Sequence, residues 1–145
     1  MFQVTRKADY AVRVLLELAS RGEENCIPTQ VIAEAADIPQ PFLHKIARDL
    51  VTAGLVRTQA GPNGGLVLSK PTQNINLLQI FESVEGPICL NVCLHQPANC
   101  SREMICPAHS FWGKLQGMVI NEMKSATLDK LLDDHVQKKD AVMIQ

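Results

Sequence analysis

The chain has 145 residues, of which 46% are hydrophobic and 20% charged, and its formal net charge is −1. That length suits one ordinary domain, or a small domain with an oligomerisation appendage, and the composition excludes a disordered chain. A near-neutral total gives no global sign of nucleic-acid binding, so charge has to be read locally.

The N-terminal "MFQVTRKADYAVRVLLELAS" threads charges through its apolar residues, unlike the basic-then-apolar layout of a secretory signal. No apolar run approaches the length of a membrane span. A cytoplasmic protein is therefore expected, and in that compartment clustered thiols more often bind metal or do redox work than close disulfides. Within Arg6–Ser20, the residues Ala8, Ala11, Val12, Leu15, Leu18 and Ala19 recur on one helical face, with Thr5 as N-cap. Gly22 to Pro28 is a loop, and Thr29 can cap a short helix, "QVIAEAA", with Ile32, Ala33 and Ala36 inward. "DIP" interrupts it. A longer helix follows from about Pro39 to Ala53, with Leu43, Ile46, Ala47 and Leu50 on one face and Gly54 ending it. Short helix, tight turn and longer helix read as a helix-turn-helix, although spacing alone leaves open an ordinary helical hairpin in a bundle.

"LVRTQ", the turn cluster "AGPNGG" and "LVLSK" make Leu55–Lys70 a β-hairpin, which directly after the longer helix is the layout of a winged helix. Between Pro39 and Lys70 the charged residues are Lys45, Arg48, Arg57 and Lys70 against Asp49 alone. Such a positive strip suits phosphate contact, and a merely solvated helix face looks the same.

Pro71–Gln73 is a connector, and Asn76 with Gln79 forms an N-cap and N3 pair for "LLQIFESVE", which Gly86 and Pro87 terminate. Pro87, Pro97 and Pro107 are expected to keep regular structure out of most of the next stretch. From Ala108 a long helix offers Phe111, Trp112, Leu115, Met118, Val119 and Met123 as an apolar stripe, for packing on its own core, for a dimer interface, or for both. Thr127 starts a last short helix. The expected division is residues 1–75, then 76–107, 108–136 and a tail at 137–145.

The five cysteines are Cys26, Cys89, Cys93, Cys100 and Cys106, an odd count that argues against a closed disulfide framework. Cys93-x6-Cys100-x5-Cys106-x2-His109 offers three thiolates and an imidazole from one loop and the start of a helix. Zinc accepts such a set, but its usual paired knuckles are missing. The longer gaps suit a cluster of several irons, whose ligands stand further apart. Spacing leaves zinc and iron–sulfur level, with a metal-free redox-sensing thiol cluster behind them.

The stretches "TRKADYAVRVLLELA", "IPQPFLHKIARDLVTAGLV", "GPNGGLVLSKP", "FESVEGP" and "CLHQPANCSREMICPAHSFW" together resemble the IscR/NsrR-type family of iron–sulfur winged-helix transcriptional regulators. The resemblance spans roughly Val4 to Leu132. It implies a mainly α fold: a winged helix-turn-helix DNA-binding domain with a small β-hairpin wing, plus a long dimerisation helix that crosses its twin. It also implies a homodimer on a pseudo-palindromic operator in double-stranded DNA, with repression as the expected sign.

On the matching positions, the resemblance assigns Cys93, Cys100 and Cys106 as cluster ligands, with His109 as the fourth. Asp9 matches an alternative fourth ligand that reaches across from the partner subunit. A [2Fe–2S] cluster is preferred over [4Fe–4S]. Gln40, Pro41, Phe42, His44 and Lys45 occupy the DNA-facing start of the recognition helix; Arg48 and Arg57 suit phosphate, and Asn63 and Gly64 lie at the tip of the wing. This chain departs from the IscR branch in three places: its first cysteine gap is one residue longer, His44 replaces a glutamate, and Ala60 replaces an arginine at the wing.

Other candidates have plainer roles. Cys26 is a loop bystander, Cys89 a spare thiol, His95 a solvated loop residue, His135 a surface residue and Trp112 a packing residue. No Ser–His–Asp, paired-carboxylate or phosphate-loop arrangement stands out, so no enzyme is expected. Three functions are carried forward: a dimeric regulator whose iron–sulfur cluster senses redox state, nitric oxide or iron supply; a redox iron–sulfur protein with an incidental helix-turn-helix; and a zinc-stabilised DNA-binding protein without sensing.

Overall fold

The computed structural model describes residues 3–95 and 100–144, and its centre is helix α1 (Arg6–Ser20). Pro97 lies outside the described residues. Thr5 caps α1 as the sequence predicts, its hydroxyl accepting from the Ala8 N–H at 3.1 Å. The buried face is wider than the predicted stripe. Tyr10 and Val14 join Ala8, Ala11, Leu15, Leu18 and Ala19 inside, while Val12 stays at the edge, partly buried. The reason is the number of neighbours: four other helices and one strand of the hairpin pack around α1.

Helix α2 (Thr29–Ala36) differs from expectation at its start. Pro28 is the N-cap, Thr29 already lies inside the helix, and no side chain caps it. Proline's fixed φ sets the approach to the helix. At the other end Asp37 turns left-handed with φ 54°, and the Ile38 N–H returns to the Ala33 carbonyl at 2.9 Å. Helix α3 (Gln40–Thr52) follows at once, and Gly54, at φ 72°, ends it as predicted. Ile32, Ala33 and Ala36 from α2 and Leu43, Ile46, Ala47 and Leu50 from α3 are all buried, as their spacing requires.

Strands β1 (Val56–Gln59) and β2 (Gly65–Leu68) pair antiparallel, with Val56 opposite Leu68 and Gln59 opposite Gly65. On the free side of β2, Ile27 and Leu66 exchange both backbone hydrogen bonds at 2.9 Å, which ties the approach to α2 to the hairpin. A Cβ on Gly65 would run into the Ile27 carbonyl and come within 2.7 Å of the Pro28 nitrogen. The exit of the hairpin is also held. The Glu23 carboxylate accepts from the Thr72 hydroxyl at 2.7 Å and from its N–H at 2.8 Å, and the hydroxyl bond, then the N–H, hold that carboxyl below its ordinary pKa.

Helix α4 (Leu77–Glu85) opens on the predicted capping box, in which Asn76 and Gln79 exchange hydrogen bonds at 3.0 Å. Two short elements interrupt the stretch expected to be irregular: helix α5 (Val92–His95) and a 3-10 turn at Glu103–Ile105. Helix α6 (Pro107–Ser125) begins on its proline, which fits a first turn where the missing N–H costs nothing. Helix α7 (Leu128–Met143) continues past the short helix expected there, because no Gly or Pro stops it. Leu128 is fully buried in the same core as Leu15 and Ile75, and its N–H donates to the Ile75 carbonyl at 2.7 Å. No helix among the described residues is long and apolar enough to cross a membrane.

Gly65→Ala is expected to lower stability by about 1–3 kcal/mol, as overpacking against backbone does. Urea denaturation checks it; an unchanged midpoint would mean that the Ile27 segment moves aside freely.

Candidate nucleic-acid interface and cysteine loop

Gln40, His44 and Arg48 stand at successive i, i+4 positions along the exposed side of α3 and line one groove. The groove, about 650 Å³, runs between α3, the first residues of α2 and the hairpin, where Gly64 joins its wall. Thr29 and Gln30 of α2 and Thr58 and Gln59 at the turn end of β1 line it as well. Sequence reading missed these four. Their signal was the helix-turn-helix itself, which lays the start of its first helix beside the face of the second. Pro41, Phe42, Lys45, Arg57 and Asn63 are exposed but lie outside this groove.

The charge strip is rearranged by the fold. Asp49, its single acid, is paired with Lys7 at 2.7 Å, and the same ammonium donates to the Val84 carbonyl at 2.8 Å. Lys70 sits on another face, in a crevice with Gln79, Glu82 and Ser83 of α4. That removes one predicted base and the one opposing acid. Among the described residues, none of the ion pairs involves Lys45, Arg48 or Arg57.

Phe42 anchors the start of α3. Its ring meets Tyr10 edge-on with centroids 6.1 Å apart, and the Arg13 guanidinium lies 5.4 Å over the Tyr10 ring. Arg13 also donates to the Ala36 carbonyl at 3.4 Å and pairs with Asp9 at 2.7 Å. Three helices are thereby joined at the turn of the helix-turn-helix. Phe42 remains 48% exposed, so half of its ring is free for contact.

Cys93, Cys100 and Cys106 are all free, half-buried thiols. They are carried differently: Cys93 on α5, Cys100 in the loop and Cys106 at the N-cap of α6. Among the described residues, no three Cys, His, Asp or Glu side chains stand together as a metal-binding group. His109 is on the first turn of α6, its backbone N–H donating to the Cys106 carbonyl at 3.2 Å. Its Nε2 lies 4.0 Å from Glu103, while Nδ1 is buried and finds no partner among the described residues. Asp9 is engaged by Arg13 at its own helix start. Cys89 donates its S–H to the Asn91 carbonyl at 3.0 Å, and the Leu90 N–H donates to Gln116 of α6 at 2.9 Å.

A short helix, a left-handed turn, an exposed second helix and a β-hairpin define a winged-helix DNA-binding fold. Residues 4–134 match the family model described as "Rrf2: Iron-dependent Transcriptional regulator", and the chain belongs to that family. It is 28% identical over 137 residues to the HTH-type transcriptional regulator IscR of Photobacterium profundum, covering 94% of this chain and 79% of that protein. Among solved structures, IscR of T. potens superposes with a TM-score of 0.72 at 25% identity, covering 92% of this chain and 88% of that one. CymR, the global cysteine regulator of B. subtilis, superposes with a TM-score of 0.71 at 26% identity, covering 92% and 98%.

Phe42→Ala should cost about 0.5–1.5 kcal/mol of stability through the lost edge-on contact, with helix content unchanged. Chemical denaturation followed by far-ultraviolet circular dichroism measures both, and a cost near zero would show that Tyr10 and Arg13 hold the turn unaided.

Proposed function

We propose that this Rrf2-family regulator acts as a homodimer on a pseudo-palindromic operator, most simply as a repressor, and that an iron–sulfur cluster in its cysteine loop sets its affinity for DNA. For DNA binding, the observation that carries the reading is the groove lined by Gln40, His44 and Arg48, with Lys45 and Arg57 exposed nearby and all three cations without an acidic partner among the described residues. Gln40 suits an adenine edge, and Lys45 suits guanine or phosphate. Arg48 and Arg57 neutralise phosphate, while Asn63 and Gly64 bring the wing to the neighbouring groove. Pro41, Phe42 and His44 shape the surface that enters the major groove. One helix-turn-helix per chain then requires two half-sites, roughly one to two turns apart.

For the cluster, the carrying observation is the buried Nδ1 of His109, without a partner among the described residues, on the same helical start as the free thiol of Cys106. A buried ring nitrogen without a partner is costly, and an imidazole beside thiols is a fitting iron ligand. The donor set Cys93, Cys100, Cys106 and His109 fits the group, and a [2Fe–2S] cluster held there would supply an oxidant-sensitive centre. Asp9, already paired with Arg13, is the less available alternative and would favour [4Fe–4S]. Because the ligands lie outside α2 and α3, cluster state can act on DNA affinity only through a free-energy difference between two arrangements of the dimer.

Gln40→Ala is expected to relax preference at one base position, whereas Arg57→Ala weakens all sequences alike and flattens the salt dependence. Titration of operator and scrambled duplexes across salt concentrations decides; the reverse pattern would exchange their roles.

Cys100→Ser should abolish visible absorbance in anaerobically purified protein, preserve helical circular dichroism and shift operator affinity by about tenfold or more. His109→Ala should perturb the absorption spectrum and Asp9→Ala should not. Colourless wild-type protein containing zinc would replace the sensor with a zinc-stabilised DNA-binding protein.

A further inference from the structure

Two apolar features of the chain are complementary. One is the 3-10 turn before α6, where Met104 is 94% and Ile105 75% exposed. The other is an apolar groove of about 550 Å³ whose walls include Val4, Phe81, Ile88, Leu90, Val119 and Met123. Large apolar side chains this exposed on a turn are unusual, and so is a groove with mostly apolar walls that the described residues leave unfilled. The chain cannot fill its own groove with this turn, because Ile105 and Met123 lie at opposite ends of α6, roughly 27 Å apart at 1.5 Å per residue.

A two-fold pairing of α6 brings the features together. No residue of α6 is buried, and Phe111 and Met118 are 59% and 60% exposed, so the helix has an apolar face without a partner among the described residues. In a two-fold dimer whose α6 helices run antiparallel, the start of one helix lies beside the end of the other. Setting Ile105 opposite Met123 places the axis beside Lys114, between Gly113 and Gly117. A Cβ on Gly117 would meet nothing within 4 Å, which leaves that side open to a second helix.

We infer that in the homodimer the Met104–Ile105 turn of each chain fills the partner's groove between α4, the Pro87–Leu90 segment and α6. This rests on the dimer proposed above and adds a role for the partner in the cysteine loop. The turn lies between Cys100 and Cys106, so the partner grips the segment that carries two of the thiols. Dimer assembly thereby fixes the loop, and loop and dimer cannot be disturbed independently.

The test uses the full chain freed of metal by chelation, so that its outcome does not depend on the cluster. Ile105→Glu and Met123→Lys are each expected to weaken self-association on the order of tenfold or more in sedimentation equilibrium, with circular dichroism unchanged. Met104→Glu, also on the exposed turn, repeats the knob test without touching α6. Mixing Ile105→Glu with Met123→Lys should yield heterodimers in preference to either homodimer by native mass spectrometry, because one of the two contacts gains an opposite-charge pair. If the wild type dimerises and the variants dimerise equally well, or if the mixture shows no preference, the docking is wrong and the dimer stands. A monomeric wild type would overturn both.

Discussion

The structure depends on how closely its helices approach α1. Ala8, Ala11 and Ala19 interleave with Val14, Leu15 and Leu18 on a helix whose core-facing side is almost wholly removed from water. Small side chains let neighbouring helices close in, and larger ones fill the spaces between. Helices α2, α3, α4 and α7 all take their positions from this one helix. Helix α3 is therefore mounted on the central element of the core, with Phe42, Tyr10 and Arg13 fastening its outer end.

Electrostatics follow from that mounting. Lys7 emerges from α1 next to α3, where it neutralises Asp49 and binds the end of α4 through the Val84 carbonyl. One cation thus holds two helices and neutralises the only acid of α3. What remains is a local positive surface on a protein of net charge −1, which is what steering to a polyanion needs without non-specific adhesion elsewhere. The hairpin is held as firmly, by Ile27 on one side and by the Glu23–Thr72 pair at its exit.

The cysteine loop is built on the opposite principle. Among the described residues it has no buried core residue of its own, and Val92, Met104 and Ile105 are exposed. Its supports are helix ends and single hydrogen bonds, such as Leu90 to Gln116. A segment with so few contacts is a suitable place for a ligand or a partner to change the energy balance, because little packing opposes the change.

Helices α1 to α4, the Thr5 and Asn76 caps and the hairpin were legible in the sequence because they rest on local causes. The Thr5 and Asn76 caps, Gly54 and the two buried stripes of α2 and α3 are set by residues within a turn or two of each other. The resemblance to the IscR/NsrR-type regulators implied the winged-helix fold as well. Local reading failed where the cause was distant. Tyr10 of α1 is covered because Phe42 of α3 returns to meet it, and Lys70 leaves the positive strip because it shares a crevice with Gln79, Glu82 and Ser83 of α4. Thr29, Gln30, Thr58 and Gln59 reach the groove because three separated segments meet there. Side-chain chemistry and spacing fix what each segment can become, but which faces are covered and which charges are left unopposed depend on contacts between residues far apart in sequence, and those exist only once the chain has packed.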